Sequence, residues 1–124
     1  MSVAKVGAVV LDCPDPQALA GFYAGVVGGT PEGEGDWVDL AVPGGPTLAF
    51  QAAPGFVPPE WPAADRSQQF HLDLTVEDLD AAEKEVLALG AKALDAEALD
   101  AEDRSRSFRV YADPAGHPFC LCAC

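Results

Sequence analysis

The sequence has 124 residues, with 20 acidic and 7 basic side chains and a formal net charge of −13. This charge repels phosphate backbones and anionic lipid, so we expect no nucleic-acid or membrane partner, and a cationic ligand is favoured. No stretch approaches the roughly 20 apolar residues that cross a bilayer, and the N-terminal residues lack the apolar core of a signal peptide. These features predict a single cytoplasmic domain.

The first half of the chain has the pattern of a strand, a helix and further strands. Asp15 is placed to cap the helix, and Pro16 occupies its first position. Apolar residues then recur at helical spacing until Gly28. The predicted elements are a strand at 6–12, a helix at 17–27 and strands at 37–42 and 47–51.

The second half repeats this order after a stretch rich in Pro and Ala, residues 54–67, which predicts a linker. Asp78 is the second candidate helix cap, and Gly90 is placed to end that helix. An acidic loop is expected around residues 100–103. The predicted elements are a strand at 68–76, a helix at 79–89, a short strand at 91–94, and strands at 107–112 and 118–122.

The two halves can be overlaid. Asp15 and Asp78 lie 63 positions apart, and the turns before the last strand of each half lie 71 positions apart. Internal repetition of this kind indicates two similar units, each burying surface that the other cannot. We therefore predict one domain over residues 1–124, with module one at about 5–53 and module two at about 68–124.

Four segments carry a resemblance to a known family. They are Val-Val-Leu-Asp-Cys-Pro-Asp-Pro at 9–16, Leu-Ala-Phe-Gln at 48–51, His-Leu-Asp-Leu-Thr-Val-Glu-Asp at 71–78 and Val-Tyr-Ala-Asp-Pro-Ala-Gly-His-Pro-Phe at 110–119. The chain resembles the glyoxalase/bleomycin resistance/dioxygenase superfamily, or vicinal oxygen chelate fold, and within it the glyoxalase-like subfamily. The resemblance implies an α+β fold in which two βαβββ modules pair into a pseudo-symmetric curved sheet around a central cleft.

Metal-dependent members of that superfamily take one ligand from the first strand and one from the last strand of each half. On this chain the first-strand positions fall on Ala8, which has no donor, and on His71. The last-strand positions fall on Ala49 or Gln51 and on Cys120. We therefore expect no metal and no cofactor, and if a divalent metal binds, the set implied is His71, Cys120 and Gln51.

His71 is the candidate catalytic residue, as a general base or a ligand contact. Asp73 lies two positions on, so on a strand both side chains share one face, and the carboxylate can orient the imidazole. Trp37 and Trp61 are candidates to stack on a planar or cationic ligand. Gln51 and Cys120 complete the candidate ligand contacts around the cleft.

Arg109 and Tyr111 are further candidate ligand contacts. They alternate with Phe108 and Val110 along one predicted strand, so one of these pairs faces the cleft. The alternation alone does not decide which pair it is.

Three functions stay open at this point. The first is binding of a small organic molecule without a metal, as in the antibiotic-resistance branch of the superfamily. The second is a lyase, isomerase or dioxygenase that uses His71. The third is an accessory, partner-binding domain with a vestigial site. The resemblance also implies a homodimer.

Overall fold

The computed structural model describes residues 3–59, 71–94 and 108–123. The chain divides into two compact units, Met1–Phe56 and Val57–Cys124, and this boundary falls inside the predicted linker. We keep the names module one and module two for these units. In the residues that the structure describes, no helix is both long and apolar enough to cross a membrane.

Within residues 3–59, 71–94 and 108–123, each module has four strands and one helix. Module one consists of β1 (Ala8–Cys13), α1 (Pro16–Val27), β2 (Pro31–Glu34), β3 (Trp37–Leu40) and β4 (Thr47–Ala52). Module two consists of β5 (Leu72–Thr75), α2 (Leu79–Leu89), β6 (Lys92–Ala93), β7 (Phe108–Ala112) and β8 (Pro118–Cys122). The predicted α+β class and the two βαβββ modules are confirmed.

The two sheets have the same topology. The strand orders are β1-β4-β3-β2 and β5-β8-β7-β6. The first strand of each module pairs in parallel with the last, and the remaining pairs are antiparallel. A parallel pair requires a long crossover connection, and in each module the helix is part of it.

Both helices begin where the sequence predicts. The Asp15 carboxylate accepts a hydrogen bond from the backbone N–H of Ala18 at 3.2 Å, and the Asp78 carboxylate accepts one from Ala81 at 3.1 Å. Each bond satisfies one of the backbone donors that the first helical turn leaves free. The second helix ends at Gly90, whose φ of 118° is a conformation that side chains other than glycine rarely adopt.

The helix of each module packs on one face of its sheet. In module one Tyr23 of α1 stacks on Phe50 of β4, with ring centroids 5.8 Å apart. In module two Tyr111 of β7 stacks on Phe119 of β8, with centroids 5.6 Å apart, and the Tyr111 hydroxyl donates to Glu83 of α2. Rings buried in this way supply much of the free energy of folding. The other core side chains of module one include Leu11, Leu19, Val38, Leu40 and Leu48.

The short edge strand β2 was not among the predicted elements. Pro31 and two glutamates give it a composition that is uncommon in strands, because it buries almost no apolar surface. It pairs with β3 through a hairpin in which Glu34 lies opposite Trp37, so Gly35 and Asp36 form a two-residue turn. A Gly-Asp pair before an apolar run is a hairpin signal that could have revealed β2.

Some predicted features lie partly or wholly outside the described residues. They include most of the linker predicted at 54–67, the first part of the strand predicted at 68–76, the acidic loop around 100–103 and the first residue of the strand predicted at 107–112.

Gly21 and Gly29 provide a matched test of this fold. A Cβ at Gly21, within α1, meets no atom within 4 Å, whereas at Gly29 it would lie 2.4 Å from the Ala41 carbonyl oxygen at a φ of +91°. We expect Gly21→Ala to raise the free energy of unfolding by about 0.5–1 kcal/mol. Gly29→Ala should lower it by more than about 1 kcal/mol, through left-handed strain and the displaced carbonyl. Urea denaturation of both variants checks this, and equal stabilities would contradict the described turn after α1.

Candidate functional site

The sheet of module two has one face against α2 and one face turned away from it. Arg109 and Tyr111 of β7 contact carboxylates of α2, so the residues that alternate with them point the other way. We call this opposite side the far face of module two. Strand register assigns to it Asp73, Thr75, Phe108, Val110, Ala112, Pro118, Cys120 and Cys122.

Three chemically reactive side chains meet on this far face. Parallel pairing of β5 with β8 places Asp73 directly beside Cys120, and His71 lies two residues before Asp73 on the same side. One donor atom from each residue lies within 4.8 Å of the other two. The His71 Nε2 and Asp73 Oδ1 atoms are 3.1 Å apart. We call these residues the His–Asp–Cys cluster.

The cluster lies between solvent and the sheet. The His71 and Asp73 side chains are 35% and 65% exposed, whereas Cys120 is buried. Its neighbours are apolar, because Cys120 pairs with Val110, and the adjacent Cys122 pairs with Phe108. Phe108 is a large aromatic residue that is 40% exposed. An apolar surface with a few converging polar groups is the usual composition of a small-molecule site.

Arg109 and Tyr111 are not brought to this cluster. The Arg109 Nη2 lies 2.9 Å from Asp80 Oδ1, its Nη1 lies 3.5 Å from Glu83 Oε2, and the Tyr111 hydroxyl donates to Glu83 Oε1 at 2.9 Å. The alternation along β7 is thus resolved in favour of Phe108 and Val110 on the far face. We call the residues Asp80, Glu83, Arg109 and Tyr111 the helix-side network.

This network shifts two pKa values. Burial raises the pKa of Tyr111 above its ordinary value, and the hydrogen bond to Glu83 raises it further, because both disfavour the phenolate. Burial is the largest single influence on the pKa of Arg109 and lowers it. The hydrogen bond to Asp80 and the charge of Glu83 outweigh burial, so that the pKa of Arg109 is raised. Both groups therefore stabilise the packing of α2 in their ordinary protonation states.

The corresponding face of module one carries different chemistry. Trp37 is 43% exposed and pairs with Gln51, which is also exposed. The indole Nε1 of Trp37 donates to Asp39 Oδ1 at 2.9 Å, which holds the ring in one orientation. Glu32 lies opposite Asp39, and Glu34 lies opposite Trp37. This face is aromatic and acidic, in contrast with the mixed donors of module two.

Strand register also decides which residue of module one corresponds to Cys120. Cys120 pairs with Asp73, and at the equivalent place Ala49 pairs with Val10. Ala49 is fully buried and has no donor atom. The overlay of the halves therefore assigns Ala49, and Gln51 corresponds to Cys122.

One donor in module two was not predicted as such. From the sequence, Asp73 is expected as a partner of His71 and not as a possible metal ligand, although a spacing of two residues along a strand places both side chains on one face. Trp61 lies outside the described residues. The expectation of a site without a metal stays a prediction.

Comparisons with known proteins agree with this architecture. A sequence model described as a glyoxalase-like domain matches residues 8–122. A glyoxalase/bleomycin resistance protein/dioxygenase family enzyme from Burkholderia phytofirmans PsJN superimposes with a TM-score of 0.70 at 17% identity, over 95% of this chain and 97% of that one. The fosfomycin resistance protein FosX from Listeria monocytogenes gives a TM-score of 0.69 at 13% identity, over 99% and 93%.

A further similar structure is a glyoxalase-related enzyme from Fulvimarina pelagi, with a TM-score of 0.67 at 19% identity over 98% of this chain and 89% of that one. No curated protein matches the chain. At these identities the structural likeness shows the fold alone.

The raised pKa of Tyr111 predicts a loss of stability at alkaline pH. The unfolded chain ionises tyrosine near pH 10.0, while the folded chain keeps Tyr111 neutral. The contribution of neutral Tyr111 to the free energy of unfolding is therefore complete below that pH. It is lost as the pH rises toward the pKa of Tyr111 in the folded chain. The chain has two tyrosines, and Tyr23→Phe removes the other one, so that absorbance reports on Tyr111 alone. In this variant we expect tyrosinate absorbance to appear above pH 10.0, together with loss of near-ultraviolet circular dichroism.

Glu83→Gln in the same background is the control, because it removes the charge that faces the phenol. Tyr111 should then ionise at a lower pH. Reversible ionisation of Tyr111 near pH 10.0 in a chain that stays folded would contradict the helix-side network.

Proposed function

Because the chain belongs to the glyoxalase-like domain family, we propose that it binds a small organic molecule on the far face of module two, with His71 as the orienting polar contact. The observation that carries this proposal is the His–Asp–Cys cluster set among apolar side chains. Binding of this kind requires no metal ion. The ligand would rest on Phe108 and hydrogen bond to the exposed edge of the cluster.

Apolar contact and polar contact have separate roles in this proposal. Phe108 is 40% exposed, so covering it with a ligand removes aromatic surface from water. The His71 ring is held by Asp73 at 3.1 Å, so a ligand that hydrogen bonds to the imidazole meets a side chain that is already oriented. A preoriented contact reduces the entropy lost on binding.

The charge of the chain supports a cationic ligand. The formal net charge is −13, and the far side of the sheet in module one presents Asp39 and Glu32 beside the exposed indole of Trp37. Carboxylates and an aromatic face both attract a cation. The expectation from the sequence that Trp37 and Gln51 contact a ligand stays a prediction. The homodimer and the cytoplasmic location stay predictions.

A comparison of two antibiotics of opposite charge tests this proposal, since the relatives include proteins named for bleomycin and for fosfomycin resistance. Bleomycin is cationic and fosfomycin is an anionic phosphonate. We expect bleomycin, or another cation from a panel of antibiotics, to raise the melting temperature, and fosfomycin to leave it unchanged. At a ligand concentration of one hundred times Kd the stabilisation is about 2.7 kcal/mol.

Two substitutions, one at the proposed contact and one away from it, locate the binding. His71→Ala should raise the Kd for the cation about tenfold, a typical cost of losing one hydrogen bond to a charged group. The shift in melting temperature at a fixed cation concentration should shrink accordingly. Lys84→Ala, on the exposed side of α2, is the control that should leave it unchanged. Absence of a shift with every cation in the panel, or a response to fosfomycin alone, would remove the proposal.

A second candidate function is favoured by one specific observation, the contact between His71 and Asp73. A carboxylate at this distance orients an imidazole for proton transfer, which is the arrangement of many general bases. The chain would then be a lyase, isomerase or dioxygenase that acts on a small carbonyl or hydroxy-acid compound. His71 would take the proton of the substrate, and Asp73 would position the ring.

For this candidate we expect His71→Ala to reduce turnover by about 10²–10⁴-fold, the usual contribution of a positioned base. Turnover is measured by absorbance over a panel of small carbonyl and hydroxy-acid compounds, with circular dichroism to confirm folding. Asp73→Asn should reduce the rate less, because the amide still holds the ring by a hydrogen bond. An unchanged rate in His71→Ala would exclude the general-base role.

A further inference from the structure

The proposed function leaves one reactive side chain of the far face unused, the thiol of Cys120. Its Sγ lies within 4.8 Å of an imidazole nitrogen of His71 and of a carboxylate oxygen of Asp73. The His71 Nε2 is 3.1 Å from Asp73 Oδ1. A thiol, an imidazole and a carboxylate in this order are the parts of an activated nucleophile, and the bonds between them are often long before a substrate binds.

Each member of the cluster has a separate task in such an arrangement. His71 accepts the proton of the thiol, which leaves the nucleophilic thiolate. Cys120 is only 7% exposed, and a thiolate without a partner at that depth would be costly. The imidazolium that forms beside it offsets this cost, and the Asp73 carboxylate stabilises the imidazolium in turn.

Cys122 provides a comparison within the same strand. It lies two residues after Cys120 on the far face and is the more exposed of the two thiols. Strand register places Thr75 beside Cys122, where it places Asp73 beside Cys120. If exposure governed reactivity, Cys122 would react faster. Activation by the His–Asp–Cys cluster favours Cys120 instead.

The proton balance of the cluster indicates the class of reaction. His71 can carry one proton from the thiol to the reacting molecule. Addition of a thiol to a carbon–carbon double bond conjugated with a carbonyl uses that one proton and expels no leaving group. The exposed ring of Phe108 offers a flat apolar surface for a planar conjugated molecule. The net charge of −13 disfavours an anionic one.

We propose that Cys120 captures an uncharged or cationic α,β-unsaturated carbonyl compound, with His71 as the proton carrier and Asp73 as a positioning residue. A bond forms between Sγ and the β-carbon, and the π pair of the double bond moves toward the carbonyl. The proton taken up by His71 then passes to the α-carbon, so the product is a thioether, and no oxidant or reductant is consumed.

This proposal rests on the far face that the proposed function uses, but the adduct is measured without a reversible ligand. A melting-temperature response to a cation in a chain that forms no adduct at Cys120 would contradict only the covalent step. Adduct formation without such a response would contradict only the proposed reversible binding.

The test is the rate of adduct formation with N-ethylmaleimide, followed by mass spectrometry of the full-length, reduced chain. In Cys122→Ala/Cys124→Ala, Cys120 is the only thiol of the tryptic peptide 110–124. The matched variant Cys120→Ala/Cys124→Ala reports on Cys122 in the same peptide. We expect Cys120 to react at least about tenfold faster than Cys122, because a positioned base contributes more than that. Equal rates, or a faster Cys122, would overturn the proposal.

Substitutions of the two histidines separate activation from exposure. In the background that retains Cys120, His71→Ala should slow the adduct at least about tenfold. Asp73→Asn should slow it less, because the amide still holds the ring. His117→Ala is the control and should leave the rate unchanged. In concentrated urea all of these variants should react at one rate, since the cluster is then dispersed. An unchanged rate in folded His71→Ala, with circular dichroism confirming the fold, would overturn the role of the imidazole.

Maleimides that differ only in the charge of the N-substituent test the class of molecule. Each rate is divided by the rate of the same reagent with 2-mercaptoethanol, which removes differences in intrinsic reactivity. We expect the ethyl and aminoethyl reagents to react faster at Cys120 than the carboxyethyl reagent. A carboxyethyl reagent that reacts as fast as the other two would contradict the selection against anions.

Discussion

In each module the first strand pairs in parallel with the last, so residues far apart in sequence become neighbours. This pairing obliges the chain to cross over, and the helix in the crossover covers one face of the sheet. The opposite face is then free of the helix in both modules. Asp73 and Cys120, 47 positions apart in sequence, lie side by side only because β5 and β8 are in this register. The candidate site is therefore a direct product of strand order.

The face of the module two sheet that lies against α2 carries charged side chains as well as apolar ones. Because residues of β7 alternate between faces, this placement determines which residues lie on the far face. The Arg109 guanidinium is only 7% exposed, and a charge at that depth needs partners. Asp80 and Glu83 of the helix provide them, and Glu83 also holds the Tyr111 hydroxyl. With these side chains committed to the helix, Phe108 is left on the far face. The same strand thus anchors α2 on one side and offers an aromatic surface on the other.

Local signals made most of the fold predictable, and long-range contacts limited the rest. The Asp78 cap and the alternation of β5 act over a few residues, so the sequence determines them directly. The strand β2 buries too little surface to have an apolar pattern, and only the Gly-Asp turn that follows it indicates a hairpin. The face of β7 depends on carboxylates about 29 positions away from Arg109, which no alternation reveals. The pairing of Asp73 with Cys120 likewise required the strand register.

Backbone hydrogen bonds hold β1 to β4 and β5 to β8 in one common register, whatever side chains occupy the paired positions. The side chains at equivalent paired positions can differ widely. Module one has Val10 beside Ala49 where module two has Asp73 beside Cys120. A duplicated frame of this kind lets one copy lose or acquire reactive groups while the pairing of its strands persists. The reactive side chains of one module can therefore be substituted without changing those of the other. Evolution or design can alter two separate sets of positions within 124 residues.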